Sequence, residues 1–327
     1  MSKPSAKAFI AWTAIEGRSE EIAGALGAET RRYFWPPFTR KPLVPLRWLV
    51  SALRTAAFIL RRRLSGVIVQ NPPVIAALVA YAAGRAVGAR VVIDAHPAAL
   101  TRTGPRRWLP DRVNGLLARR VDAVMVTVSD LADRIRAHGG RGIVLHEAPP
   151  HTEPSDPPAA VDRLRVLVVS RFAPDEPVRE VVEAARELPE LDLVITGEPR
   201  LRPPGLAEQA PTNVEFPGFL SIDAYRQALA GANIVMALTT RPYSVSRAAY
   251  DAVWARRPLI VSGGPQMPEL FPHAVVVDNT AASIAAGLRD ASARYQELAR
   301  DTHAALELAR ERWESQLAEL RDALGAG

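Results

Sequence analysis

The sequence predicts an α/β protein made of two Rossmann-like halves, each a parallel sheet with crossover helices. Short segments rich in Val, Ile and Leu alternate with helical patterns rich in Ala, Leu and Arg, which is typical of buried parallel strands. A Pro-rich polar segment, residues 151–160, interrupts the alternation, which then begins again. The 327 residues suit two domains of ordinary size. Ligands of such sheets bind at the carboxyl ends of strands, so we expect a cleft between the halves.

The predicted strands form one set in each half. The first set is Ala8–Thr13, Gly66–Gln70, Arg90–Asp94, Ala123–Thr127 and Gly142–His146. The second set is Leu164–Ser170, Leu191–Thr196, Asn213–Glu215, Ile234–Ala237, Pro258–Val261 and Ala274–Val277. The last segment, Ala281–Leu324, is rich in Ala, Glu, Leu and Arg and is predicted to be helical. These elements divide the chain into a first domain at residues 1–150, a linker at 151–163 and a second domain at 164–305.

Composition indicates a folded protein whose charge is unevenly distributed. Hydrophobic residues make up 48% of the chain and charged residues 23%. The chain has no cysteine, which excludes disulfides and thiolate metal sites and favours a cytoplasmic location. The start of the chain lacks the apolar core of a signal peptide. The net charge of +6 combines +12 in residues 1–155 with −6 in the rest, so we expect the first half to meet an anionic partner.

Much of the positive charge lies in the segment Arg31–Arg63. The segment holds nine basic residues, no acidic residue and several aromatic rings. Basic side chains attract anionic lipid headgroups and aromatic rings favour the headgroup boundary, so we predict peripheral attachment to the inner face of the membrane through Trp35, Phe38 and Trp48. The apolar stretches are too short to span a bilayer. The alternative is a solvated basic face over a buried helix. No nucleic acid is expected, because no nucleic-acid motif occurs.

The segment Arg241–Ile260 has a pattern typical of a phosphate site. Ser244 and Ser246 precede a helical pattern that carries one carboxylate, Asp251. The free N–H groups and the positive end of a helix suit a diphosphate. Asp251, predicted two turns into the helix, is placed to bind a ribose hydroxyl.

A second candidate site follows the strand that ends at Asp94. Asp94 and His96, with one residue between them, lie at the carboxyl end of this strand and are predicted to face the same cleft. The His96 imidazole can bond a sugar hydroxyl or a phosphate. Asp94 can orient that ring or, if its proton affinity is raised, act as the base itself. Structural capping of the strand end is the alternative.

Four short motifs carry a family resemblance. They are Val69-Gln70-Asn71-Pro72-Pro73, Ile93-Asp94-Ala95-His96, Leu145-His146-Glu147-Ala148-Pro149 and Ala173-Pro174-Asp175-Glu176. In this order they resemble the β-1,4-mannosyltransferase family that adds the first mannose to chitobiosyl-diphosphodolichol, although Ala95 stands where that family has a tryptophan. More distantly, the chain resembles glycosyltransferases of family 4. The resemblance implies the GT-B fold, with residues 306–327 as a helix that returns to the first domain, and it places Asn71 on the acceptor side.

The resemblance to GT-B enzymes also implies the donor-binding positions. They are Arg171, Gly197, Gly218, Phe219, Leu220, Tyr243, Ser244, Val245, Ser246, Arg247 and Asp251. Arg171 stands where many of these enzymes place a basic residue against the donor diphosphate. Retaining GT-B enzymes carry two glutamates eight positions apart; here Asp251 matches the second and Tyr243 replaces the first, which favours the inverting relatives.

Together these features predict a metal-independent glycosyltransferase of glycolipid or polysaccharide biosynthesis. The resemblance favours GDP-mannose as donor, with a nucleotide sugar as the only small molecule required besides a lipid-linked or glycan acceptor. The catalytic residues are predicted to be Asp94 and His96. Two alternatives stay open: a non-catalytic GT-B subunit that recruits a partner enzyme, and a nucleotide-sugar epimerase. A pyridoxal-dependent phosphorylase is disfavoured, because no lysine follows position 41.

Overall fold

The computed structural model describes residues 6–13, 17–34, 43–101, 108–150, 153–159 and 162–325, which fold as two units. Met1–Ala148 and Arg312–Gly327 make up the first unit, and Pro149–Glu311 make up the second. Each unit is a parallel sheet with helices between successive strands. The predicted α/β class with two Rossmann-like sheets is confirmed.

Within its described residues, the first unit contains a six-stranded sheet. Its strands are Lys7–Ala11 (β1), Glu29–Arg32 (β2), Gly66–Asn71 (β3), Arg90–Ala95 (β4), Ala123–Val126 (β5) and Gly142–Val144 (β6). They are all parallel and follow the order β2-β1-β3-β4-β5-β6. β2 was not predicted, because its sequence ETRR has no apolar pattern. Such a strand is stable only as a charged sheet edge.

Small residues let the helices of the first unit lie close to its sheet. The helices are Gly17–Ala25 (α1), Val44–Arg62 (α2), Val74–Val87 (α3), Pro97–Leu100 (α4), Trp108–Ala118 (α5) and Ser129–Ala137 (α6). α3 buries four alanines and Gly84, and a Cβ on Gly84 would lie 2.6 Å from the Val91 side chain of β4. A larger residue at this position would push α3 away from the sheet.

The described residues of the second unit likewise contain six parallel strands. They are Arg165–Val168 (β7), Asp192–Thr196 (β8), Val214–Gly218 (β9), Ile234–Ala237 (β10), Leu259–Ser262 (β11) and Val275–Val277 (β12). Their order is β12-β11-β10-β7-β8-β9. The helices are Val178–Arg186 (α7), Ile222–Ala230 (α8), Arg247–Trp254 (α9), Met267–Leu270 (α10), Ala281–Ala293 (α11) and Tyr295–Ala323 (α12), and the residues of α12 from Arg312 onward belong to the first unit. The segment predicted as one helical stretch is thus two helices, which separate at Arg294.

The Pro-rich segment after residue 152 is bound firmly by the second unit. The Arg257 side chain is 2% exposed, and it donates to Ser155 Oγ at 2.7 Å and to Ser155 O at 2.9 Å. Arg256 Nη1 donates to Asp156 Oδ1 at 2.5 Å. Asn233 and Tyr295 bond the carbonyl of Pro158. Residues 153–159 therefore belong structurally to the second unit.

Candidate functional site

In the first unit, the polar residues predicted for catalysis lie at the carboxyl edge of the sheet. The strand order reverses between β1 and β3, and such a switch point is where open α/β sheets bind ligands. Gln70 near the end of β3 stands in register with Asp94 of β4. His96 follows β4 directly and begins α4 as its N-cap residue. The fold therefore brings Gln70, Asp94 and His96 together.

Asp94 and His96 form a close pair of which one member is buried and the other reaches the surface. Asp94 is 1% exposed, and its Oδ2 lies 3.5 Å from His96 Nε2. Gln70 Nε2 lies 3.4 Å from the same ring nitrogen. The His96 side chain is 33% exposed, so one edge of the ring can meet a substrate. The arrangement suits a histidine base whose ring is oriented by a carboxylate.

A third charged residue, Arg18, lies behind this pair and was not predicted. It is 6% exposed, and its Nε lies 3.6 Å from Asp94 Oδ1. Burial alone would raise the pKa of Asp94, but Arg18 and His96 outweigh it, so this pKa lies below its ordinary value. A base role for Asp94 would require a raised pKa, so the lowered pKa favours the other predicted role, in which Asp94 orients the ring and His96 is the candidate base.

Asn71 was expected to face an acceptor, and the structure gives it an internal role instead. Its side chain is 3% exposed, and Nδ2 donates to Asn114 Oδ1 at 2.9 Å. Its carbonyl accepts from the backbone N–H of His96 at 2.9 Å. Asn71 therefore braces the turn that carries His96.

In the second unit, the switch point lies between β7 and β10, and the loop after β7 carries Arg171. The Glu176 carboxylate fixes this loop, since its Oε2 accepts from Ser170 Oγ at 2.8 Å, Arg171 N at 2.8 Å and Ala173 N at 2.9 Å. The Arg171 side chain is exposed. A guanidinium on a fixed loop at a switch point suits an anionic ligand.

Gly197 was predicted to let a ligand approach the backbone, but a side chain fills that space. Its φ is 154°, and a Cβ on Gly197 would lie 2.5 Å from the Phe172 ring. The absence of a side chain at Gly197 is thus required by Phe172. Gly197 supports the loop that carries Arg171 and is not itself an open contact.

The loop after β10 is held from both sides before it reaches the predicted phosphate residues. Asp175 Oδ2 accepts from Thr239 Oγ1 at 3.1 Å, and Asp175 Oδ1 lies 2.8 Å from Arg241 Nη2. On the other side, Thr239 N donates to Ser262 Oγ at 2.8 Å, and Ser262 Oγ donates to Asn279 Oδ1 at 2.7 Å. This network fixes the start of the segment that leads into α9.

The predicted phosphate-binding residues that precede α9 are half-buried; they are Tyr243, Ser244, Val245 and Ser246. Tyr243 has a φ of 60°, which turns the chain toward the helix. Ser246 is the N-cap residue, and its side chain accepts from Ala248 N at 3.3 Å. The helix begins at Arg247, so Asp251 lies little more than one turn from its start, not two.

Asp251 is held by two neighbours. Tyr225 on α8 donates to Asp251 Oδ2 at 2.9 Å, and Arg247 Nε lies 3.6 Å from Asp251 Oδ1. Burial and then the Asp251 charge raise the pKa of Tyr225, so the phenol keeps its proton and its donor role. A ribose hydroxyl bound at Asp251 would share the carboxylate with Tyr225. Tyr225 was not predicted as a site residue, because the residues around it in the sequence form no recognisable motif.

The segment Gly218–Leu220 begins at the last residue of β9. Gly218 has a φ of 85°, and Phe219 is 70% exposed. Leu220 is half-buried. An exposed aromatic ring at a strand end offers a stacking surface of the kind that a nucleobase uses.

The basic and aromatic segment of the first unit is described in part. Trp35 and Phe38 lie outside the described residues, and Trp48 on α2 is 37% exposed. Arg31 and Arg62 pair with Glu29, which offsets part of the charge. None of the helices in the described part of the chain combines the length and apolar character that a bilayer crossing requires.

The exposed face of α2 carries leucines. The exposed members are Leu46, Leu49, Leu53 and Leu60. At 100° per residue they fall on one stripe of the helix, beside a row formed by Arg47, Arg54 and Arg61. The opposite face buries Ser51 and Thr55, and Thr55 accepts from Trp12 Nε1 at 3.0 Å.

Comparisons with known proteins agree with this architecture. Residues 9–150 match the model of the glycosyl transferase 4-like domain. No curated protein gives a significant sequence match. Among solved structures, HepE from Anabaena in complex with UDP-glucose is similar with a TM-score of 0.70 and 14% identity, over 97% of this chain and 100% of that chain.

Two further solved structures give the same result. Sucrose-phosphate synthase from Thermosynechococcus elongatus has a TM-score of 0.73 at 14% identity, over 98% of each chain. A glycosyltransferase from Rickettsia africae has a TM-score of 0.71 at 12% identity, over 99% of this chain and 100% of that chain. The chain therefore has the GT-B fold, and the domain match supports a glycosyltransferase.

Proposed function

We propose that this protein transfers a hexose from a nucleotide-diphosphate sugar to a lipid-linked or membrane-proximal acceptor, without a metal. The loop that leads into α9 supports the proposal most strongly. It joins a capped helix start, half-buried hydroxyl groups and Arg247 at the switch point of the second sheet. Backbone N–H groups and the helix dipole favour an anion there.

The chemistry divides between the two units. As the glycosidic bond breaks, negative charge grows on the nucleoside diphosphate, and Arg171, Arg247 and the α9 amides would stabilise it. The acceptor hydroxyl needs a base, for which His96 oriented by Asp94 is the candidate. Phe219 would stack on the base of the donor, and Asp251 with Tyr225 would bind its ribose.

A panel of nucleotide sugars tests this function directly. GDP-mannose is the donor that the motif resemblance favours, and UDP-glucose is included because the Anabaena protein was solved with it. We expect one sugar nucleotide to raise the Tm and to be slowly hydrolysed. Arg171→Ala and Arg247→Ala should weaken its binding about tenfold each, while Arg226→Ala, an exposed arginine on α8, should not. A protein that no nucleotide sugar stabilises would contradict the proposal.

A non-catalytic subunit is the second candidate. Tyr243, which stands where retaining GT-B enzymes carry the first glutamate, fits this candidate as well as it fits an inverting enzyme. Binding of a donor without hydrolysis or transfer, even with extracted lipid acceptors, would favour this candidate over the enzyme.

Peripheral attachment at the cytoplasmic face of the membrane is part of the same proposal. The α2 surface supports it, because a leucine stripe beside an arginine row matches an anionic lipid surface. We expect co-sedimentation with vesicles containing phosphatidylglycerol and little with phosphatidylcholine alone. Leu49→Glu with Leu53→Glu should abolish this binding, whereas Leu201→Glu, an exposed leucine of the second unit, should leave it intact.

A further inference from the structure

We infer that Arg18 is a positioning residue for the transfer reaction: it holds the Asp94 carboxylate in the place from which Asp94 orients the His96 ring. The inference rests on the proposed function for its catalytic consequence. Its structural part concerns the first unit alone.

Arg18 is anchored on the side away from Asp94. It is the second residue of α1, and its Nη2 donates to Leu145 O at 2.8 Å. Its Nη1 donates to His146 O at 3.0 Å and to Glu147 Oε1 at 2.9 Å. These bonds fix both terminal nitrogens of a planar group, so the direction of Nε is fixed as well.

The fixed guanidinium turns its remaining nitrogen toward Asp94. Nε lies 3.6 Å from Asp94 Oδ1, and both residues are buried. A buried carboxylate is strongly disfavoured without a partner of opposite charge. Arg18 therefore determines where this carboxylate can remain ionised.

The second oxygen of Asp94 is left for the histidine. Within the described residues, Asp94 Oδ2 has no hydrogen-bond partner, and His96 Nε2 lies 3.5 Å away. A short movement of the imidazole would close this gap when substrate binds. The carboxylate favours a proton on Nε2, which the Gln70 amide can also accept if it turns its oxygen to the ring, and this leaves Nδ1 as the basic nitrogen.

The alternative is that Arg18 only ties α1 to the segment after β6. A structural tie of this kind would change the stability of the protein, but its loss would not depend on Asp94. A double-mutant cycle separates the two roles, because residues that act through one another are not additive.

The experiment uses Arg18→Met, Asp94→Asn and the double variant in the full chain, with the nucleotide sugar that gives the largest thermal shift. We expect Arg18→Met to lower kcat roughly 100-fold with the donor KM within about twofold, and to cost less than about twofold in the Asp94→Asn background. Arg90→Met is the matched control, since Arg90 pairs with Asp122 in the same unit. Arg18→Lys keeps the charge and should lower kcat only about tenfold, so it serves if Arg18→Met does not fold. Effects that multiply in the double variant would overturn the inference.

A second readout does not depend on turnover. The 15N shifts of the His96 ring report which nitrogen carries the proton, and we expect mainly the Nε2–H form in the wild type and a mixture in Arg18→Met. Identical shifts in both would overturn the inference. A protein without turnover but with this change would keep the positioning role and contradict only the proposed enzyme.

Discussion

The carboxyl edges of the two sheets are built from different kinds of side chain. At the edge of the first sheet, Arg18 and Asp94 are buried ions, 6% and 1% exposed. At the edge of the second sheet, half-buried carboxylates and hydroxyl groups such as Asp175, Glu176 and Thr239 hold the loops, and Arg171 is exposed. Buried ions fix a few atoms in place, which suits proton transfer. Braced loops that present amides and cations suit the capture of a flexible anion.

The largest effect that this comparison predicts follows from the first edge. Asp94→Asn keeps the size of the side chain and removes its charge. We expect kcat for transfer to fall roughly 10²- to 10⁴-fold, because a general base loses its orienting carboxylate. The donor Kd, measured by calorimetry, should change less than about twofold. Asp133→Asn, on the exposed face of α6, is the control. Equal losses in binding and in turnover would assign Asp94 a structural role.

A largely buried histidine of the first unit, His146, predicts that the stability of the protein depends on pH. Burial, then Arg312 and Arg18, lower the pKa of His146 to about 4 in the folded protein. The unfolded chain, with a pKa of about 6.5, takes up the proton first as the pH falls. The free energy of unfolding should therefore decrease from pH 6.5 toward pH 4, by at most about 3 kcal/mol. Urea titrations of wild type and His146→Gln test this, since the variant should lose that part of the slope. His138→Gln, at an exposed site, should keep it.

Gly197→Ala tests whether the loop that carries Arg171, at the carboxyl edge of the second sheet, is held in a fixed position. The added methyl group meets the Phe172 ring, which lies 2.5 Å from the ideal Cβ position. We expect about 2 kcal/mol of destabilisation and a weaker donor affinity, because the Arg171 loop must shift. Gly24→Ala is the control, because nothing lies within 4 Å of its added Cβ. Unchanged thermal stability of the Gly197 variant would show that the Phe172 loop moves freely.

The smallest effect is expected for substitutions of two N-cap serines in the second unit. Ser246 and Ser221 each accept a backbone N–H at 3.3 Å, at the starts of α9 and α8. Substitution of either by Ala should cost about 1 kcal/mol of stability. Only Ser246→Ala should also weaken the donor Kd, by roughly threefold, if the start of α9 binds the diphosphate. Equal donor affinity in both variants would place the diphosphate elsewhere.

Most strands of the two sheets were predicted correctly, because a buried parallel strand appears in the sequence as a local run of apolar residues. Ile234–Ala237 was predicted with its observed ends, and most other strands differ by one or two residues. β2 has no such run and is determined by pairing with β1, which a local pattern cannot reveal. The end of β9 at Gly218 is likewise set by its neighbour β8.

The candidate site was predictable only where it lies within one motif. Asp94 and His96 are two positions apart, so their proximity follows from the chain. Arg18 reaches Asp94 from α1, and Tyr225 reaches Asp251 from α8. Such contacts depend on how helices pack, and no spacing rule encodes them. The same reason explains why the internal contacts of Asn71 and Gly197 could not be predicted from the motifs that contain them.

α12 has a consequence for how the protein is made. Its residues up to Glu311 belong to the second unit, and those from Arg312 belong to the first. There Leu324 lies against Gly66, and Gln316 accepts from the backbone N–H of His146. During synthesis on the ribosome, the part of the first unit that precedes Pro149 therefore emerges before the residues from Arg312 onward that complete this unit. A nascent chain halted near residue 300 would lack the buried side chains of Leu320 and Leu324, would expose the surface beside Gly66 that Leu324 contacts, and would be a target for chaperones.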